Sequence, residues 1–205
     1  MLSVSIKPYL PYLCLAGLAG LLYLSPAFIQ TTLEYDRTAL AQGQIWRVIS
    51  GHLIHSNFYH LLMNLIGLIL IMLIYAPLSQ RLALGWQWVL LSLSTSASLW
   101  LFSDDISVYV GMSGVLHGIL CFGAILDLRQ GFRTGYLILA GVAVKLIVEQ
   151  VNGPDSALAA QIAANVAIDA HLYGALGGMI LAMVCFYQTP RPLNVHRQTD
   201  KPHNS

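Results

Sequence analysis

Across 205 residues the chain is 57% hydrophobic and only 9% charged, with a mean hydropathy of +0.67, too apolar for an ordinary water-soluble domain, in which about a quarter of residues carry charge. The net charge of +1 arises from 10 Lys and Arg against 9 Asp and Glu. No basic cluster occurs outside the C-terminal tail, which excludes a nucleic-acid partner held through its phosphates. Cys14, Cys121 and Cys185 all fall inside apolar runs with no CxxC or Cys–His spacing, so they read as small buried hydrophobes. The composition is that of an integral membrane protein.

In chain order, Tyr9–Ile29 is free of charge and about 20 residues long, enough to cross about 30 Å of hydrocarbon at about 1.5 Å per residue. It is longer than the apolar core of a secretory signal, although Lys7 supplies a basic flank, and is expected to remain as a first span. Phe58–Leu78, Leu82–Phe102, Ser113–Leu126 and His171–Tyr187 are further uncharged runs. Gly135–Val148 is interrupted by Lys145, whose stem can carry its ammonium to the interface. The pattern predicts an all-α membrane protein: a single six-transmembrane-helix bundle over residues 1–187, followed by a short cytoplasmic tail, 188–205, expected to be disordered.

Lys and Arg set the orientation. With the N-terminus cytoplasmic, Lys7, Arg81, Arg129, Arg133, Arg191, Arg197 and Lys201 fall inside, against Arg37, Arg47 and Lys145 towards the outside. Glu34, Asp36, Asp104, Asp105, Glu149, Asp155 and Asp169 fall on the outer side. Spans two, four and six then all start at the outer face, and their starts hold polar groups that are costly in a membrane. Span two opens with His52, His55, His60 and Asn64, span four with Ser113 and His117, span six with His171. His60 and Asn64 are one turn apart on one face, as are His171, Gly174 and Gly178, while Gly114 and Gly118 offer a matching small face on span four.

Span four carries the octapeptide Gly111–Gly118, with Ser113 at a loop-to-helix junction. A serine in the first helical turn lies beside unpaired N–H groups and the positive end of the helix dipole, which suits a nucleophile that must stabilise an oxyanion. Taken alone, the octapeptide reads first as a small-residue packing seam between membrane helices, and the rest of the chain must decide. From Ser113 to Leu126 is about 21 Å of helix, so with Asp127 and Arg129 at the inner surface Ser113 begins about 10 Å below the outer one. Irregular backbone such as Tyr109–Met112 at that depth implies a wet pocket open to the outside.

Trp46-Arg47, His55, His60-x-x-x-Asn64, Gly111-x-Ser113-Gly114 and Ala170-His171-x-x-Gly174-x-x-x-Gly178 follow one another in an order and topology that resemble the rhomboid intramembrane serine proteases. The resemblance covers about Gln44 to Gly178. It implies Ser113 as nucleophile, His171 as general base, and an oxyanion site from the Ser113 N–H with His60 and Asn64. Gly111, Gly114, Gly174 and Gly178 support the site. It implies no cofactor, no metal and no third carboxylate. Where many rhomboids have an aromatic residue packed against the catalytic histidine, this chain has His117, expected to pack or hydrogen-bond beneath the Ser–His pair; Gln44 stands where some relatives carry an acid. The compact form with Gly-x-Ser-Gly-x-Leu-His-Gly is most similar to the rhombosortase branch. That branch implies substrates with C-terminal membrane anchors of the Gly-Gly type, cleaved at the periplasmic side of a bacterial inner membrane.

Two other classes are compatible with the histidines. A histidine-box metalloenzyme would use His52, His55 and His60 with His117 or His171, although Asp169 is the only acid near any of them in sequence. A non-catalytic rhomboid-like binder would keep the fold without needing Ser113 and His171. Asp169, two residues before His171, is expected to be a solvated loop carboxylate, and His196 and His203 to lie in the tail without a catalytic part.

Overall fold

A computed structural model describes residues 5–78 and 82–187. Arg81 and the tail, with Arg191, His196, Arg197, Lys201 and His203, lie outside the described residues. In chain order the elements are α1 (Leu10–Tyr23), α2 (Ala27–Leu33), a two-residue strand β1 (Tyr35–Asp36), α3 (Arg37–Ala41), α4 (Arg47–Ser50), a 3₁₀ turn (Gly51–Leu53), α5 (Phe58–Tyr75), α6 (Leu84–Phe102), β2 (Val108–Tyr109), α7 (Ser113–Gln130), α8 (Thr134–Asn152), α9 (Ser156–Ile162) and α10 (Ile168–Tyr187).

Each of the expected apolar runs contains a helix, with bounds that differ from the expectation. The first apolar run is not one helix. Its continuation is blocked by Pro26, which disfavours helical backbone at Ser25 and stands at the N-cap of α2. The fourth runs four residues past Leu126, because Asp127 is not at a surface: it is 3% exposed and accepts a hydrogen bond from Thr134 Oγ1 at 2.8 Å. Gly131, at φ +89°, then ends the helix in a left-handed cap. At 18 residues, α7 is about 27 Å long, so its length no longer implies that Ser113 is recessed by about 10 Å. His52 and His55 precede α5, which starts after Asn57, whose side chain accepts from the His60 N–H at 2.8 Å.

Among the described residues, α5, α8 and α10 are long and apolar enough to cross a membrane, and α1 is a shorter apolar helix. Ile66, Leu70 and Leu73 on α5, Ile147 and Val151 on α8, and Ile180 and Val184 on α10 are exposed. Such apolar stripes have no place against water and match hydrocarbon. The protein is an integral membrane protein.

At the centre stands α7, with α5, α6, α8 and α10 around it. Its seam with α10 is backbone against backbone. A Cβ on Gly174 would lie 1.9 Å from the Gly114 carbonyl oxygen, one on Gly178 2.0 Å from that of Gly118, and one on Gly118 2.7 Å from that of Gly174. Only glycine permits this approach. Gly174→Ala therefore forces α7 and α10 apart, at a cost of about 1–3 kcal/mol typical of overpacking. Gly141→Ala on α8, with nothing within 4 Å, serves as the control. Thermal unfolding in detergent should show a lowered midpoint for the first variant and none for the second; equal midpoints would contradict the seam.

Candidate active site

The N-terminal turns of α5, α7 and α10 open into one cavity of about 1030 Å³, whose lining includes His60, Asn64, Ser113, His117, Glu149 and His171. Ser113 is the first residue of α7, so its N–H belongs to the group with no partner inside the helix. His171 lies in the first turn of α10 and is 7% exposed. The glycine seam brings the two helices close enough for Ser113 Oγ to stand 2.9 Å from His171 Nε2, within the range for proton transfer between a nucleophile and its base.

The other ring nitrogen of His171 faces Glu149. Nδ1 lies 3.1 Å from Oε1 and 3.0 Å from Oε2, and Lys145 Nζ sits 2.5 Å from Glu149 Oε1 and 3.4 Å from the same Nδ1. A carboxylate can only accept, so the imidazole proton resides on Nδ1 and Nε2 is left bare towards the Ser113 hydroxyl. Beneath the pair, the His117 ring stacks on that of His171 with centroids 4.5 Å apart and planes 21° apart, and its Nδ1 donates to the Ser113 carbonyl at 2.7 Å.

Across the cavity, Asn64 Nδ2 donates to the His60 carbonyl at 2.9 Å, which leaves its second amide hydrogen available. Gly111, at φ +110°, passes so close that a Cβ there would lie 2.5 Å from His60 Nε2. Its N–H donates to the Gly51 carbonyl at 3.3 Å and its carbonyl accepts from the Tyr109 hydroxyl at 2.6 Å. The loop ahead of Ser113 is thus pinned from both sides. His60 Nδ1 is 3.0 Å from Ser56 Oγ, which also donates to the carbonyl of Ile162, the last residue of α9. A hydroxyl has one proton, so His60 Nε2 can donate into the cavity when Ser56 turns its proton to Nδ1.

Residues 42–188 match the family profile described as the Rhomboid domain. The chain belongs to the rhomboid family. It is 29% identical over 163 residues to the Bacillus subtilis (strain 168) protein named "Putative rhomboid protease YdcA", an alignment spanning 74% of this chain and 73% of that one.

In this rhomboid, Gln44 performs a task an acid could serve: its Oε1 accepts from Arg47 Nε at 2.9 Å. The buried Arg47 guanidinium also donates to the carbonyls of Thr31 at 2.8 Å and Glu34 at 2.7 Å. His52 and His55 stay outside the Ser–His geometry. The first meets Ser96 Oγ at 3.0 Å and the second stacks edge-on against His60. Burial pushes His52 down to about 4 and, together with the neighbouring His60, pushes His55 down to about 3, so both are neutral at neutral pH. The five histidines are divided among these separate partners, and among the described residues no three His, Cys, Asp or Glu side chains are gathered as metal ligands.

Asp169 differs from its expectation. It lies in the first turn of α10, half-buried, and accepts from Ser103 Oγ at 2.5 Å. The carboxylate at His171 is Glu149, one helix away, which sequence spacing could not pair with it. The available signal was Lys145-x-x-x-Glu149, an i, i+4 ion pair placed inside an apolar helix.

Losing one donor of an oxyanion site costs about 2.7–4 kcal/mol. With Asn64 as such a donor, the role the rhomboid resemblance implies, Asn64→Ala should lower kcat by about 10²–10³ while the folded protein persists in the membrane. Wild-type kcat in this variant, measured on a cleavable transmembrane substrate, would remove Asn64 from the oxyanion site.

Proposed function

We propose that this rhomboid is an intramembrane serine endopeptidase in which Ser113 and His171 carry out the chemistry. The observation that carries this reading is the 2.9 Å contact between Ser113 Oγ and His171 Nε2 inside a cavity among apolar helices. The family and the name of the Bacillus subtilis relative support it. His171 Nε2 takes the Ser113 proton as Oγ attacks the scissile carbonyl carbon. The Ser113 N–H, Asn64 and His60 hold the resulting oxyanion, and His171 then passes the proton to the leaving amine. Water, deprotonated by the same nitrogen, hydrolyses the acyl-serine.

We assign six crossings to α1, α5, α6, α7, α8 and α10, an assignment that the Lys and Arg distribution supports. Both termini are then cytoplasmic and the cavity opens to the periplasmic side of a bacterial inner membrane. The cavity is also lined by Met63, Gly67, Leu70, Ile71 and Ile74 of α5 and by Leu116 and Leu120 of α7. An apolar transmembrane segment fits such a wall, with its outer end at Ser113.

A helical peptide bond has its carbonyl tied up in the helix, so cleavage needs local unwinding, which glycine eases. The substrate class consistent with this, and with the rhombosortase-like octapeptide, is an exported protein held by a C-terminal anchor: a Gly-Gly-type motif, an apolar span and a basic cytoplasmic end. Replacing the glycines of such an anchor by Leu should slow release of the exported domain into the periplasm more than neutralising its basic end does. Equal release from the Leu form would leave a rhomboid protease of broader substrate choice, and release into the cytoplasm would reverse the orientation.

A further inference from the structure

We propose that Glu149 is a positioning residue for His171, so that the site works as a Ser113–His171–Glu149 triad rather than as a two-residue pair; this rests on the proposed roles of Ser113 and His171. Both Glu149 oxygens lie within 3.1 Å of His171 Nδ1, on the side of the ring opposite Ser113. The side chain reaches there from α8, whose residues 136–144 are all apolar, and an ionised carboxylate close to them is costly unless a partner offsets its charge. Lys145, one turn earlier, does so through its ion pair with Glu149.

This arrangement has two consequences for the reaction. The carboxylate fixes the Nδ1–H tautomer and the ring orientation, so that Nε2 is always the basic nitrogen. When Nε2 takes the Ser113 proton, the imidazolium forms beside an anion already in place, and Glu149 keeps its charge throughout. Without Glu149 the nearest charge to Nδ1 would be the Lys145 ammonium, 3.4 Å away, which opposes that imidazolium. His117 cannot substitute, because its Nδ1 is committed to the Ser113 carbonyl.

A merely structural Glu149, clamping α8 to α10 through His171, would instead be felt in folding. The test uses the full chain in detergent or liposomes and compares wild type, Glu149→Gln, Glu149→Asp and Ser113→Ala. Three quantities are read: kcat and KM on a cleavable transmembrane substrate, the rate constant for fluorophosphonate labelling, and the unfolding midpoint. Loss of the third member of a Ser–His–Asp triad lowers kcat by up to about 10⁴-fold. For Glu149→Gln we expect kcat and the labelling rate constant to fall together by at least about tenfold, with KM changed by less than about twofold, and Glu149→Asp to recover part of the loss. The labelling rate constant does not depend on how much protein folds, so it decides the matter even where Glu149→Gln lowers the midpoint.

A wild-type rate constant in Glu149→Gln would overturn the proposal. So would full recovery on adding Lys145→Gln to Glu149→Gln, since Glu149 would then serve only to neutralise the lysine. Labelling of wild type that persists in Ser113→Ala would instead overturn the underlying assignment of the nucleophile.

Discussion

The contact on which the rest of the site depends is the backbone seam between α7 and α10. The carbonyls of Gly114 and Gly118 occupy the space where Gly174 and Gly178 would carry side chains. Two helices held by contacts this rigid have one relative position. Ser113 and His171, 58 residues apart in sequence, therefore meet at hydrogen-bond distance without depending on long, flexible side chains. Reactions of this kind are sensitive to placement at about the 1 Å level, where a shift can cost about 10²-fold in rate. A seam that cannot slide is the most direct way to meet that tolerance.

A second set of contacts fixes the approach to Ser113 from the loop side. Arg47 gathers the carbonyls of Thr31 and Glu34 under the short α2, and Tyr35 pairs with Tyr109 across the β1–β2 bridge. Gly51 fits tightly against Tyr35, where a Cβ would lie 2.5 Å from its backbone nitrogen, and its carbonyl accepts from Gly111. Gly111 in turn lies against His60. The segment before α5 is thus a brace for the loop that presents the serine.

Much of this was legible in the sequence because it depends on local spacing. Small residues at i, i+3 and i+7 after His171, a serine between two glycines, and a His and an Asn one turn apart each declare a helical face, and those faces do meet. The differences arise where a partner comes from elsewhere in the chain. Asp127 reads as a helix end until Thr134 is seen to bond it, and Glu149 reads as a flank of the fifth apolar run until α8 is seen to lie beside α10. Lys145 reads as a side chain reaching for the interface, whereas its ammonium turns to Glu149. In each case a charge in an apolar segment was assigned to the membrane surface, because hydropathy registers the cost of burying a charge but not the partner that offsets it.

The most direct test of the account is chemical: treat the purified protein with a fluorophosphonate and determine the intact mass and the modified residue. One adduct is expected, on Ser113, absent from Ser113→Ala and strongly suppressed in His171→Ala, because in the proposed mechanism the imidazole nitrogen 2.9 Å away takes the proton of that hydroxyl. Unchanged labelling of His171→Ala, or an adduct on any residue other than Ser113, would contradict the account.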